Sequence, residues 1–263
     1  MIYFVPTPIG NLADITKRAL LALENSEIIF CEDTRVTKKL LNLLNIPLNK
    51  FFISMHSHNE SKIINSLDIN LLKTKECSYV SDAGMPGISD PGSKLIRFCQ
   101  KNNIPYTVLP GPSAFVTAFV ASGFEGEFCF YMFLPNKGKE RTDKLYEIMQ
   151  TGKISILYEA PHRIEKLIKE IQKIDENREI FLIKEISKIH EKFIKAKAKD
   201  IKLDNTKGEW VVVINKAEKT KTLNLTYEDI LNLNLPIKEK SKLLAKISEK
   251  SQKEIYNSLL NNG

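Results

Sequence analysis

The chain of 263 residues predicts two α/β domains and a helical tail. A mainly parallel N-terminal sheet is expected over residues 1–110, a mixed C-terminal sheet over 111–216, and a linker with helices over 217–263. Short apolar runs alternate with helical patterns through the first hundred residues, the rhythm of a parallel sheet with helices on its faces. After PGPSA (110–114) strands outnumber helices, which points to a partly antiparallel sheet. Beyond residue 216 a polar stretch leads into amphipathic helical patterns.

The first domain opens with IYFV (2–5), which runs into a Pro/Gly loop. In DITKRALLALE (14–24), Ile15, Ala19, Leu20 and Leu23 fall on one helical face, with Asp14 as the expected cap. EIIFC (27–31), FFIS (51–54), SYVS (78–81) and YTVL (106–109) read as further strands. Helices are expected between them at 34–44, 59–72 and 92–101. A small-residue helix over 113–122 opens the second domain. Strands follow at 128–134, 153–159, 179–185, 192–196 and 209–214, interrupted by helices at 139–150 and 161–173. Residues 217–225 read as a polar linker. Residues 226–260 read as two or three amphipathic helices, with Leu231, Leu235, Leu243, Leu244, Ile247, Ile255 and Leu259 as apolar positions. Isolated short helices are marginal, so the tail is expected to dock on the body or on a partner.

With 39 Lys and Arg against 32 Asp and Glu, the net charge is +7, compatible with a polyanionic partner. Residues 1–110 hold 12 basic and 10 acidic groups, 111–216 hold 19 and 16, and 217–263 hold 8 and 6. The excess is spread, so any polyanion is met by a folded surface and not by a basic arm. The longest apolar stretch, Ala114 to Phe124, contains Ser, Thr and Gly and falls short of the roughly 20 residues of a membrane span. MIYFVPTPIG has no basic region of the signal-peptide kind. A cytoplasmic protein with no membrane partner is expected. Cys31, Cys77, Cys99 and Cys129 form no CxxC pair, so reduced, mostly buried thiols are expected and no metal site.

Of the 22 Pro and Gly residues, 12 lie in four loops: VPTPIGN, SDAGMPGISDPG, LPGPSA and YEAPHR. Each follows a strand. Pro fixes φ and Gly tolerates positive φ, so such loops are rigid and admit a ligand close to the backbone. Asp82 stands where an acid commonly receives a ligand hydroxyl or ammonium, while Asp90 reads as a cap for the helix near Pro91. No GxxxxGK[ST] loop is present and no GxGxxG follows a strand, which disfavours the usual ATP and NAD sites. CEDTR (31–35) brings Glu32, Asp33 and Arg35 to another strand end, as an internal network, a cleft wall, or a helix cap with an incidental arginine. In MHSHNE (55–60), His56, His58 and Glu60 lie together, but no third metal ligand at matching spacing is evident. His162 and Arg163 sit at a helix start, where cations are disfavoured by the dipole; an anionic ligand or a neighbouring carboxylate would each explain this. NKGKER (136–141) reads as a basic loop, either a phosphate contact or simply solvated.

VPTPIGNLADIT, CEDTR, HNE, VSDAGMPGISDPG, LPGPSA, FLPNKGKER, YEAPHR and GEWV occur in the order and spacing of the tetrapyrrole methylase superfamily, which the chain resembles over nearly its whole length. The resemblance is to the RNA-methylating branch, because PTPIGN stands where porphyrin-methylating relatives carry a GxGxGD-like loop. Met85 and Gly87 depart from the residues common there, with the backbone roles intact. The resemblance implies S-adenosylmethionine as methyl donor in a cleft between the two domains, a homodimer, and 2′-O-methylation of a cytidine ribose in 16S rRNA of the 30S subunit. Carried over by motif, the donor site would use Pro8, Gly10, Ser81, Asp82, Ala83, Gly84, Pro112, Ser113 and Ala114, closed by Tyr158, Glu159, Gly208 and Glu209. Glu60, Glu32 and His56 are candidates for the base, and Arg35, Lys137, Lys139, Arg141 and Arg163 for phosphate or ribose contact. Arg163→Ala is expected to weaken RNA binding with donor binding retained. Two rivals are a methylase acting on a uroporphyrinogen- or precorrin-like tetrapyrrole and a non-catalytic RNA-binding assembly factor. DNA is not expected as a partner.

Overall fold

The computed structural model describes residues 1–217, 225–248 and 250–261. The chain divides into two compact units, Met1–Ala217 and Glu218–Gly263. Both sheets belong to the first. Its parallel sheet has the order β3-β2-β4-β1-β5, with β1 Ile2–Phe4, β2 Ile28–Cys31, β3 Phe51–Ser54, β4 Cys77–Val80 and β5 Tyr106–Val108. The central strands β2 and β4 are buried along their whole length, as a sheet covered on both faces requires, whereas β3 and β5 at the edges are partly open. Phe4, Phe30, Tyr79 and Leu95 pack on one face, and Val5, Leu23, Ile29 and Leu41 on the other.

The second sheet has the order β6-β7-β10-β8-β9, with β6 Phe128–Phe133, β7 Ile154–Glu159, β8 Glu179–Lys184, β9 Lys192–Lys197 and β10 Trp210–Ile214. Only β6 and β7 run parallel; the other pairs are antiparallel. The mixed character expected from the strand-rich sequence is therefore present.

Local chemistry sets most helix boundaries and corrects several expectations. The first helix, α1 (Lys17–Asn25), is capped by Thr16, whose side chain accepts from Ala19 N–H at 3.1 Å. Asp14 is not its cap: it ends a 3-10 turn, Leu12–Asp14, and accepts a hydrogen bond from the Ser187 hydroxyl. The helix expected over 59–72 is two, α3 (Glu60–Asn65) and α4 (Ile69–Thr74), because Asp68 caps a new start by accepting from Asn70 and Leu71 N–H. Helix α2 (Thr34–Leu43) is capped by Asp33. Helices α5 (Ser93–Lys101), α6 (Ala114–Ser122), α7 (Gly138–Gln150) and α8 (Ile164–Ile174) complete the first unit. The four cysteines are unpaired, three of them buried.

In the second unit, α9 (Tyr227–Asn232), α10 (Ile237–Ile247) and α11 (Gln252–Asn261) enclose a small core of Ile230, Leu244 and Ile255. A capping box between Thr226 and Asp229 starts α9. The expected linker, 217–225, lies for residues 218–224 outside the described residues. Among the described residues no helix is long and apolar enough to cross a membrane.

Candidate active site

In a parallel sheet the carboxyl ends of the strands share one edge, and the loops leaving β1, β2, β4 and β5 gather there. Backbone bonds tie two of them: Thr7 N–H donates to Gly84 O and Gly84 N–H to Thr7 O, each at 3.0 Å. The turn needs Gly84, whose φ is +78°. The first loop is also pressed against the second sheet's lobe. A Cβ at Gly10 would stand 2.6 Å from Ile186 O and 2.8 Å from Ser187 C. The Pro/Gly loop thus needs a glycine at position 10 for its close backbone approach to the second lobe.

Between the two lobes lies a cavity of about 510 Å³, within the size range of small-molecule sites. One lip carries Glu32 from the β2 end, Asp82, Ala83, Gly84, Met85, Ile88, Ser89 and Asp90 from the loop after β4, and Ser113 and Ala114 at the start of α6. The other carries Tyr158, Glu159, Ala160 and Pro161 after β7, and Glu209, Trp210 and Val211 at the start of β10. Of the thirteen residues expected around the donor, Asp82, Ala83, Gly84, Ser113, Ala114, Tyr158, Glu159 and Glu209 line this cavity. Pro8, Gly10, Ser81, Pro112 and Gly208 are not among its lining residues. A Cβ at Gly208 would stand 2.8 Å from Glu185 Cγ.

The first lip is acidic and short of partners. Burial pushes the Glu32 carboxyl up, and the charges of Asp90, Asp82 and Asp33 push it the same way. Asp90 and Asp82 are raised by burial as well, Asp90 further by the Asp82 charge. Asp33 N–H donates to Asp82 Oδ1 at 3.1 Å. Asp33 itself is held down at about 2 by hydrogen bonds from the Arg35 side chain and backbone. On the other lip burial pushes the Tyr158 phenol up to about 12, so it keeps its proton at neutral pH. Its ring packs edge-on to Phe130 and Phe133.

The three base candidates separate. Glu32 opens to the cavity. Glu60 does not: it is 4% exposed, its Oε1 accepts from Gly92 N–H at 3.0 Å, and Lys94 Nζ lies 3.6 Å from Oε2. It braces the start of α5, the task expected of Asp90, while Asp90 faces the cavity. His56 lies outside the cavity lining, with its backbone N–H bound to Asn59 Oδ1 and its ring 6.0 Å from that of His58. Among the described residues no cluster of His, Cys, Asp and Glu has metal-binding geometry.

The basic candidates separate as well. Lys137 and Lys139 are exposed at the start of α7, and Arg35 is exposed beside Asp33. Arg141 is corrected. It is 1% exposed, with Nη2 donating to Glu159 at 2.9 Å, Nε to Glu170 at 2.8 Å and Nη1 to Pro135 O at 3.2 Å. A buried guanidinium held by three acceptors cannot reach RNA. Arg163 is partly withdrawn: its Nε lies 2.8 Å from Glu159 Oε1, in ion-pair contact without hydrogen-bond alignment, and Nη1 donates to Asn136 Oδ1. Its loss would therefore disturb a cavity wall, contrary to the expectation that donor binding is untouched. Asp90, Met85, Trp210 and Pro161 line the cavity without having been assigned to it; the density of Pro and Gly around the first two was the available signal.

The cavity suits an amphipathic cationic ligand: carboxylates on one lip, the N–H groups of the α6 start, and apolar or aromatic walls at Ile9, Ile88, Ile186, Val211 and Tyr158. Known proteins agree in fold. The chain aligns with the crystal structure of uroporphyrin-III-C-methyltransferase from Thermus thermophilus, with a TM-score of 0.56 and 16% identity, covering 82% of this chain and 94% of that one. It aligns with the methyltransferase CobJ with a TM-score of 0.62 and 14% identity, covering 83% and 96%. The model of the tetrapyrrole (corrin/porphyrin) methylases matches residues 1–202. Ribosomal RNA small subunit methyltransferase I of Campylobacter fetus is 47% identical over 270 residues, covering 99% of this chain and 100% of that one. The proteins of the same name from Helicobacter pylori strain J99 and Vibrio cholerae are each 39% identical, covering 97% of this chain and 96% and 93% of theirs. With relatives matched across nearly its full length and the family model across residues 1–202, the chain belongs to the tetrapyrrole methylases and, among them, to the family of ribosomal RNA small subunit methyltransferase I.

Proposed function

We propose that this methyltransferase transfers a methyl group from S-adenosylmethionine to the ribose 2′-hydroxyl of a cytidine in 16S rRNA, acting on the small ribosomal subunit as a homodimer. The observation that carries the reading is the acidic, glycine-turned cavity at the sheet edge, in a chain so close over its length to proteins named for rRNA methylation. Asp82, Glu32 and Asp90 would favour a sulfonium or ammonium electrostatically, the α6 start would receive a carboxylate, and Ile9, Ile186 and Tyr158 would flank the apolar part. Bound there, S-adenosylmethionine would supply an electrophilic methyl on a cationic sulfur that departs neutral, so no leaving-group acid is needed. The protein's part is alignment and a proton acceptor for the hydroxyl. Glu32 fills that role best among the three base candidates, because it alone of them opens to the cavity, in surroundings that raise its basicity. Lys137, Lys139 and Arg35 would contact phosphates, and the demand for a 2′-hydroxyl separates RNA from DNA.

The test is transfer of labelled methyl groups to 30S subunits from a strain lacking this enzyme, followed by mapping of the modified nucleotide. Label on a cytidine ribose is expected. Label on uroporphyrinogen instead would favour a tetrapyrrole acceptor, and no thermal shift with S-adenosylmethionine would favour a non-catalytic assembly factor.

A further inference from the structure

The two carboxylate oxygens of Glu159 are both engaged inside the protein. Oε2 accepts from Arg141 Nη2 at 2.9 Å, and Oε1 accepts from Ala160 N–H at 2.9 Å with Arg163 Nε beside it. Glu159 is 2% exposed although it lines the cavity, and the next two residues, Ala160 and Pro161, line it too. Arg141 reaches in from α7 and also binds Glu170 on α8 and the Pro135 carbonyl after β6. Arg163 reaches back from the start of α8 to Asn136. Helix α7, the turn after β7 and the start of α8 thus meet on one buried carboxylate.

We propose that Arg141 is a positioning residue for the donor cavity: it locks Glu159, and through it the Glu159–Ala160–Pro161 turn, into the shape the donor meets. Glu159 then acts as a strut and not as a ligand to the donor. The proposal rests on the reading of this cavity as the S-adenosylmethionine site. The physical ground is that a buried carboxylate tolerates burial only while charge-compensated and hydrogen-bonded. Remove the guanidinium, and Oε2 loses its hydrogen-bond donor while Arg163 and the Ala160 N–H still hold Oε1, so the carboxylate is drawn to rotate Oε2 toward water. The cavity that Glu159 lines gives it such an opening, so the wall moves.

Titration calorimetry with S-adenosylmethionine, in the absence of RNA, separates positioning from folding. Stoichiometry reports the folded fraction and Kd reports the shape of the cavity. For Arg141→Met, the Kd is expected to rise at least tenfold at the stoichiometry of the unaltered protein. If that variant does not fold, Arg141→Lys is the second arm. It keeps the compensating charge but lacks the planar fork that spans Glu159, Glu170 and Pro135 O, so its Tm is expected to return near that of the unaltered protein while its Kd stays at least fivefold weaker. Either folded variant binding as tightly as the unaltered protein overturns the proposal. Unaltered protein that takes up no S-adenosylmethionine overturns the reading of the cavity itself, a different result, and the proposal falls with it.

Discussion

The two lips of the cavity treat their carboxylates in opposite ways. On the first lip, Glu32 and Asp90 sit half-buried and Asp82 is exposed, each raised by burial and by acidic neighbours, with no ion pair among the described residues. On the second, Glu159 is clasped by Arg141 and Arg163, and Glu209 pairs with Lys188 at 2.9 Å. Unpaired acids are poised for what enters the cavity; paired acids are architecture. A charge left without an internal partner is costly to bury, and such a cost concentrates where a ligand or a proton can offset it. The same residue type is therefore left unpaired on one side and tied into the structure on the other.

The largest expected effect would break that contrast on its first side. If Glu32 takes the ribose proton, Glu32→Gln should lower kcat by about 10²–10⁴-fold, with Kd for S-adenosylmethionine changed by less than about tenfold. Single-turnover assays on 30S subunits with separate donor titration check this, and an unchanged kcat would return the contrast to structure alone. Next is the joint between the lobes. Gly10→Ala places a Cβ 2.6 Å from Ile186 O and should cost about 1–3 kcal/mol in overpacking, read by chemical denaturation. A neutral result would mean that the lobes can part without strain.

The response to pH sharpens the contrast. For a carboxylate raised on folding, the native state holds a proton that the unfolded state has lost, across the window between its ordinary and raised values. Stability therefore rises as pH falls through that window. Neutralising Glu32, Asp82 and Asp90 removes the charges that favour a cation, so donor affinity should fall over the same window. Melting curves and calorimetry from neutral pH downward should move in opposite directions; a parallel loss of both would mean that the acids of the first lip are structural. The smallest effect concerns the RNA face. Lys137→Ala with Lys139→Ala should weaken binding to 30S subunits and reduce the slope of log affinity against log salt by about two, with donor Kd unchanged.

Much of the fold was legible because it rests on local rules. The five short strands of the parallel sheet and the strand-rich second half follow from apolar runs and their spacing. The four Pro/Gly loops announced a cavity, and all four supply lining residues. Misreadings arose where a local rule had two solutions. Asp14 was expected to cap α1 but Thr16, two residues on, does so, and Asp68 splits what reads as one helical stretch. The cap expected of Asp90 is supplied by Glu60, and Asp90 lines the cavity, because Glu60 on α3 lies across from the start of α5, 32 residues away in the chain.

The basic residues of NKGKER show the boundary most plainly. The sequence by itself determined that the loop is basic and begins a helix, since that depends on residue type and periodicity. It could not distribute Lys137, Lys139 and Arg141 between solvent and interior. One turn of helix turns Arg141 inward, onto acids supplied by β7 and α8, while both lysines remain in water. Fold class, loop chemistry and kinship are written in short-range pattern. Which charge is spent on architecture and which is left for chemistry depends on partners brought together from distant segments, and only the packed chain decides that.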